Sequence, residues 1–146
     1  MSLPRRDRTF RARPASALVS IQPELWVDHA NEAVAFYEAA FGAKVLHRVG
    51  EGEDVVAQLA VGGAAFWVAS ASSAMKRFSP RTIDGATSRA LLVVDDPDAA
   101  MAQAVTSGAI ELAAVADDHG WRVGRIRDPF GHEWEIGRPL GAWPPC

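Results

Sequence analysis

Val19, Ile21, Pro23, Leu25 and Val27 fall on one parity, the period-2 signature of a strand with one buried face, over about Ser20 to Val27. Asp28 is placed to cap a helix. Beyond it Ala33, Phe36, Tyr37, Ala40 and Phe41 recur at spacings of three and four until Gly42 ends the run, which predicts an amphipathic helix. Three β-like stretches come next, Lys44 to Val49, Val55 to Val61 and Ala64 to Ala69, divided by Gly50-Glu51-Gly52-Glu53 and by Gly62-Gly63. The first half therefore reads β, α, β, β, β.

A polar linker rich in Ser and Thr, about Ser70 to Ser88, leads to Ala90-Leu91-Leu92-Val93-Val94, and the pattern starts again. Val27-Asp28 answers to Val94-Asp95 at an offset of 67 residues, and Gly42-Ala43 answers to Gly108-Ala109 at 66. Asp96 can cap the second helix with Pro97 at its first position, where a missing N–H does no harm. Met101, Ala104 and Val105 supply the apolar stripe of that helix. Strands follow at about Ile110 to Val115, Arg122 to Arg127 and His132 to Gly137, with Asp128-Pro129-Phe130-Gly131 as the last turn. Half a core that cannot close alone pairs with its copy, so the repeat predicts one α+β domain over residues 19–139, with modules at about 19–70 and 88–139.

The ends and the charge add limits. Residues 1–18 carry Arg5, Arg6, Arg8, Arg11 and Arg13 against Asp7 and read as a flexible basic arm, and 140–146 read as a packed or docking tail. A formal net charge of -3 argues against a nucleic-acid face, which needs clustered Lys and Arg. One cysteine, Cys146, permits no internal disulfide, and no apolar run is long enough for a bilayer. The expectation is a soluble cytoplasmic protein with no membrane or nucleic-acid partner.

Val27-Asp28 before a helix with Phe36-Tyr37 and Phe41-Gly42-Ala43, then Val94-Asp95-Asp96 and Asp128-Pro129-Phe130-Gly131-His132-Glu133-Trp134-Glu135, form an ordered set of motifs. The set resembles the vicinal oxygen chelate superfamily, that of glyoxalase, bleomycin resistance proteins and extradiol dioxygenases, over about Ser20 to Pro139. The resemblance implies four βαβββ modules paired into two cupped sheets, commonly in a homodimer, each cup able to hold a divalent metal and a small substrate. It also implies one metal ligand from the first and one from the last strand of each module. The matching positions hold Gln22 and Glu135, both compatible donors. The other two fall on or beside Arg89, which is always cationic, and on Ala64-Ala65-Phe66-Trp67-Val68, which has no carboxylate or imidazole. A catalytic metal takes about three protein ligands, so the expectation is no cofactor; nickel, zinc, manganese or iron enters only if the set is completed.

With Leu25 and Val27 toward the helix, period 2 points Gln22, Glu24 and Trp26 into the cup and puts Glu133 and Glu135 on one face opposite Trp134. Clustered carboxylates raise one another's pKa, which makes Glu135 and Glu24 candidate bases for a proton beside a carbonyl. The alternative is that Glu24, Glu133 and Glu135 are neutralised by Arg89, Arg122 or Arg125 in a structural or ligand-orienting network. Arg89 would then replace the metal's charge. Trp26, Trp67 and Trp121 are candidate surfaces for a planar ligand, and Trp134 is a core residue. Three functions remain open: a small-molecule-binding protein without a complete metal site; a metal-dependent lyase, isomerase or dioxygenase, of glyoxalase type if an enzyme; and a non-catalytic structural or regulatory dimer.

Overall fold

The computed structural model describes residues 19–144; the expected basic arm and Cys146 lie outside the described residues. Two βαβββ modules follow one another. The first is β1 (Glu24–Val27), α1 (Ala30–Phe41), β2 (Lys44–Glu51), β3 (Asp54–Val61) and β4 (Ala64–Ser70). A linker with a 3-10 turn (Ser73–Met75) and a short helix α2 (Pro80–Ile83) leads to β5 (Arg89–Val93), α3 (Pro97–Thr106), β6 (Ile110–Asp118), β7 (Trp121–Arg127) and β8 (Glu133–Pro139). Each module makes a four-stranded mixed sheet, ordered β1-β4-β3-β2 in the first and β5-β8-β7-β6 in the second. In each, the first strand runs parallel to the last and the other pairs are antiparallel.

The strands form because their apolar residues alternate. Val55, Ala57 and Leu59 of β3 and Val68 of β4 are fully buried against α1, while Val56, Gln58 and Trp67 turn to the other face. In the second sheet Ile126, Trp134 and Ile136 face inward. Both inward faces and both long helices merge into a single hydrophobic core. Gly124 is closely packed there: a Cβ would stand 2.9 Å from Val115 Cγ2 and 3.0 Å from the Ala113 carbonyl oxygen. Gly42 ends α1 in the left-handed conformation at φ 67°, which a side chain would disfavour.

Several boundaries depart from the sequence expectation. The first strand begins at Glu24, not Ser20, and Val19 and Ile21 are exposed. Pro23 accounts for this: its carbonyl accepts from Trp67 N at 2.8 Å, but it has no N–H to extend the ladder. Helix α1 starts one residue later than expected, with His29 at the cap position and no side-chain cap bond. Asp28 instead turns its carboxylate to Arg81 Nε at 3.4 Å. Asp96 does cap α3, accepting from Ala99 N at 3.1 Å. Val105 is exposed at 41%, so the buried stripe of α3 is Met101 and Ala104. The β6–β7 hairpin stays paired out to Asp118 and Trp121, beyond Val115.

The linker is compact. Ser79 is completely buried and caps α2, and Arg81 joins the modules by also donating to the Pro129 carbonyl at 3.2 Å. Among the described residues no helix is long and apolar enough to cross a membrane.

Candidate functional site

Because each sheet buries one face in the shared core, its other face points away from that core and stays open. On the first sheet this face holds Gln22, Glu24, Trp26, Gln58 and Trp67. Gln22 Oε1 accepts from Gln58 Nε2 at 2.9 Å and from Trp67 Nε1 at 2.8 Å. Trp26 Nε1 donates to Glu24 Oε2 at 2.8 Å. His47 lies on the same face, its ring centroid 6.4 Å from that of Trp67. The parity expected for Gln22, Glu24 and Trp26 is therefore the observed one.

On the second sheet, the register sets Arg89 and Arg127 beside Glu133, and Leu91 and Arg125 beside Glu135. Arg89 bridges the two carboxylates, 3.8 Å from Glu133 and 3.7 Å from Glu135. Arg127 approaches the other oxygen of Glu133 at 3.7 Å. Further along the same face stand Val93, Val123, Gly137 and Trp121. A shallow hollow of about 390 Å³ opens beside Arg125 and Glu135.

Three expectations change. Glu24 does not share a concavity with Glu133 and Glu135 within one chain, since the two open faces belong to different sheets. Arg122 does not neutralise these acids: with Gly124 and Ile126 it faces the helix side, where it grips Asp98 through two N–H bonds of 2.7 and 2.8 Å and Asp117 at 2.9 Å. Gln22 and Glu135 likewise lie on separate sheets. Two further residues at the second sheet's open face are not among those expected from the sequence: Arg127, although its parity with Arg125 points to it, and Trp143, in a tail without a period, whose ring centroid lies 5.2 Å from that of Trp121.

The described residues do not fit a divalent metal within one chain. Both Gln22 Oε1 lone pairs are taken by N–H donors, and Glu133 and Glu135 already face the fixed cation of Arg89. No group of three His, Cys, Asp or Glu among the described residues is arranged to hold one.

The turn that positions β8 is anchored in the core. Asp128, 2% exposed, accepts from Phe130 N at 2.9 Å and His132 N at 3.0 Å with one oxygen. Its other oxygen accepts from Trp134 Nε1 at 3.0 Å and from the Tyr37 hydroxyl. His132 Nε2 meets the Trp26 carbonyl at 2.9 Å, tying this turn to β1.

Burial first, and then the neighbouring Asp128 charge and the hydrogen bond to it, hold the Tyr37 phenol well above its ordinary 10.0. A raised phenol contributes stability that is whole below pH 10.0 and is lost as pH climbs from there toward the folded value. Tyr37 is the chain's only tyrosine, so the tyrosinate band in an ultraviolet pH titration reports it alone. That band should stay absent above pH 10.0 while the chain is folded and should rise together with unfolding. A band that grows near pH 10.0 in the folded protein would contradict the burial.

The model of the Glyoxalase/Bleomycin resistance protein/Dioxygenase superfamily matches residues 18–136. The chain belongs to this superfamily. The α+β fold and the resemblance read from the motifs around Phe36-Tyr37 and Asp128-Pro129-Phe130-Gly131 are thereby both established. An uncharacterized Mycobacterium bovis protein is 34% identical over 127 residues, covering 83% of this chain and 84% of its own. Among solved structures, an Arabidopsis thaliana gene product is 28% identical with a TM-score of 0.65, over 83% of this chain and 99% of its own. The antibiotic binding protein TnmS3 from a Streptomyces species superposes with a TM-score of 0.58 over 84% of this chain and 98% of its own. At 22% identity that last likeness is one of fold. A fosfomycin resistance protein from Mesorhizobium loti, 11% identical, shares the fold with a TM-score of 0.62 over 86% of this chain and 94% of its own.

Proposed function

We propose that this chain is a small-molecule-binding member of the superfamily, in which the guanidinium of Arg89 takes the electrostatic place that a divalent metal holds in relatives with a full ligand set. The observation that carries this reading is the position of Arg89, within 4 Å of both Glu133 and Glu135 at 3.8 and 3.7 Å. A cation fixed to the backbone cannot polarise a substrate as an open metal site does, but it can orient an anionic or polar group by forked hydrogen bonds. Glu24 and Glu135, the candidate bases, are each held by a neighbour, Glu24 by the Trp26 N–H and Glu135 by Arg89. Binding by TnmS3 of an antibiotic on the same fold is consistent with a cup that sequesters its ligand without transforming it.

The cup is closed by a second copy of the chain. Val49 on the open face of the first sheet and Leu91 and Val93 on that of the second are 48%, 45% and 56% exposed, a combination of apolar strips that favours burial against another surface. In a two-fold dimer, the first sheet of one protomer faces the second sheet of its partner, and Gln22, Trp26 and Trp67 join Arg89 and Arg125 around one space.

The test is calorimetric titration of the purified full chain with nickel, zinc and manganese, with sedimentation equilibrium of the same samples. The expected result is twice the chain mass and no stoichiometric metal. One metal per chain, lost in Glu135→Gln, would overturn the reading in favour of a metal-dependent lyase or isomerase.

A further inference from the structure

We infer that the ligand of the second open face is a planar aromatic anion, its charge taken by Arg125 and its ring lodged in a corner made by Trp121 and Trp143. The inference deepens the binding-cup reading and rests on it.

Of the three arginines on this face, Arg89 and Arg127 are paired with Glu133 or Glu135. Among the described residues Arg125 has neither an ion pair nor a hydrogen bond, although it is half-buried. Glu135, its cross-strand neighbour, is drawn to Arg89 instead. The Arg125 nitrogens reach solvent and none is taken by an acceptor among the described residues, so the whole guanidinium fork is free to receive an anion. Space is present, because Ala113 and Ala116 of β6 line the hollow beside Arg125, whose volume of about 390 Å³ suits a small organic molecule. Asp117, Asp118 and Glu135 also line it, but each faces another basic partner, Arg122, His119 and Arg89 respectively, which leaves Arg125, among the described residues of the hollow, as the cation without an acid of its own.

The aromatic end lies along the same strand. Trp121 and Arg125 share a face by parity and are roughly 13 Å apart along β7, a span that an elongated aromatic compound can bridge. Beyond β8 the tail is anchored by Leu140 N donating to the Gly120 carbonyl at 2.8 Å. This brings Trp143 to Trp121, ring centroids 5.2 Å apart with planes at 72°. Two perpendicular indoles make a corner that can stack one face of a flat ring and meet its edge. Trp143 is 56% exposed, so the core gains little from it. Leu91 and Val93, exposed in the single chain and turned toward the same space that the partner closes, extend the apolar half, while the arginines with Glu133 and Glu135 between them occupy the other. The face is amphipathic, matching an aromatic body with one anionic group.

Two probes with one skeleton separate the charge from the ring: 1-anilinonaphthalene-8-sulfonate, and N-phenyl-1-naphthylamine, which lacks the sulfonate. Fluorescence titration of the full chain should show tighter binding of the sulfonate. Arg125→Ala should weaken it about tenfold and leave the neutral probe unchanged. Trp143→Ala should weaken both about fivefold, and Trp143→Phe should recover part of the loss. Thermal melts equal to wild type identify variants that fold. If Arg125→Ala and Trp143→Ala leave sulfonate binding unchanged, the inference is overturned. In that event, weakening by Arg89→Ala or Trp26→Ala keeps the cup reading, whereas indifference to all four variants, or no binding of either probe, removes both.

Discussion

Replacing Asp128 with alanine should lower the stability of the folded chain by about 4 kcal/mol in urea unfolding. One buried carboxylate accepts four hydrogen bonds, from two backbone N–H groups, an indole and a phenol. Its removal leaves those donors without water or partner, and each unsatisfied buried group costs about 1–3 kcal/mol before relaxation. Asp128→Asn should cost less, about 2 kcal/mol, because its amide oxygen can still accept while its NH₂ must face at least one donor. Domains of this size are stable by only about 5–15 kcal/mol, so the loss is between about a quarter and most of the whole stability. A loss under about 1 kcal/mol in Asp128→Ala would show that the turn is held by something else.

A loss of similar size, about 4 kcal/mol, is expected for Trp134→Ala. Trp134 is 5% exposed, and its ring centroid lies 4.8 Å from Phe41, 5.5 Å from Phe66 and 5.7 Å from Tyr37. All three neighbours belong to the first module, so truncation opens a cavity at the joint between the halves. Trp134→Phe should keep most of the packing while losing the N–H to Asp128. Since Asp128 and Trp134 share that bond, the double alanine variant should lose less than the sum of the singles, by about 1 kcal/mol. Strict additivity would mean that the two act independently.

The core was legible wherever one parity or one helical stripe decided the environment. Val55, Ala57 and Leu59 announce β3, and Asp96-Pro97 announces α3, because alternation and capping are local properties. Pro23 shortened β1 through a missing donor whose effect depends on where β4 ends, which no local pattern carries. Asp28 had the chemistry of a cap, but a residue in the distant linker, Arg81, competes for it. The faces of the site were also legible: Gln22, Glu24 and Trp26 share one, and Glu133 and Glu135 share another. Parity assigns a residue to one side of its own sheet. It does not say how two sheets are disposed about a common core, and for that reason Glu24 was grouped with acids that lie on the other sheet. Arg122 was misplaced although its parity with Ile126 put it on the helix side, and Trp143 lies in a tail where no period exists to read.

The two halves look alike yet neither is self-sufficient. Tyr37 reaches across to Asp128, Gln103 donates to the Ala39 carbonyl at 2.8 Å, and Trp134 inserts among rings of the other half. With their cores shared in this way, the two halves are expected to unfold together as one cooperative unit. A peptide-bond cut in the crossing between Ser70 and Ser88 would leave two fragments that recognise each other through that same buried surface.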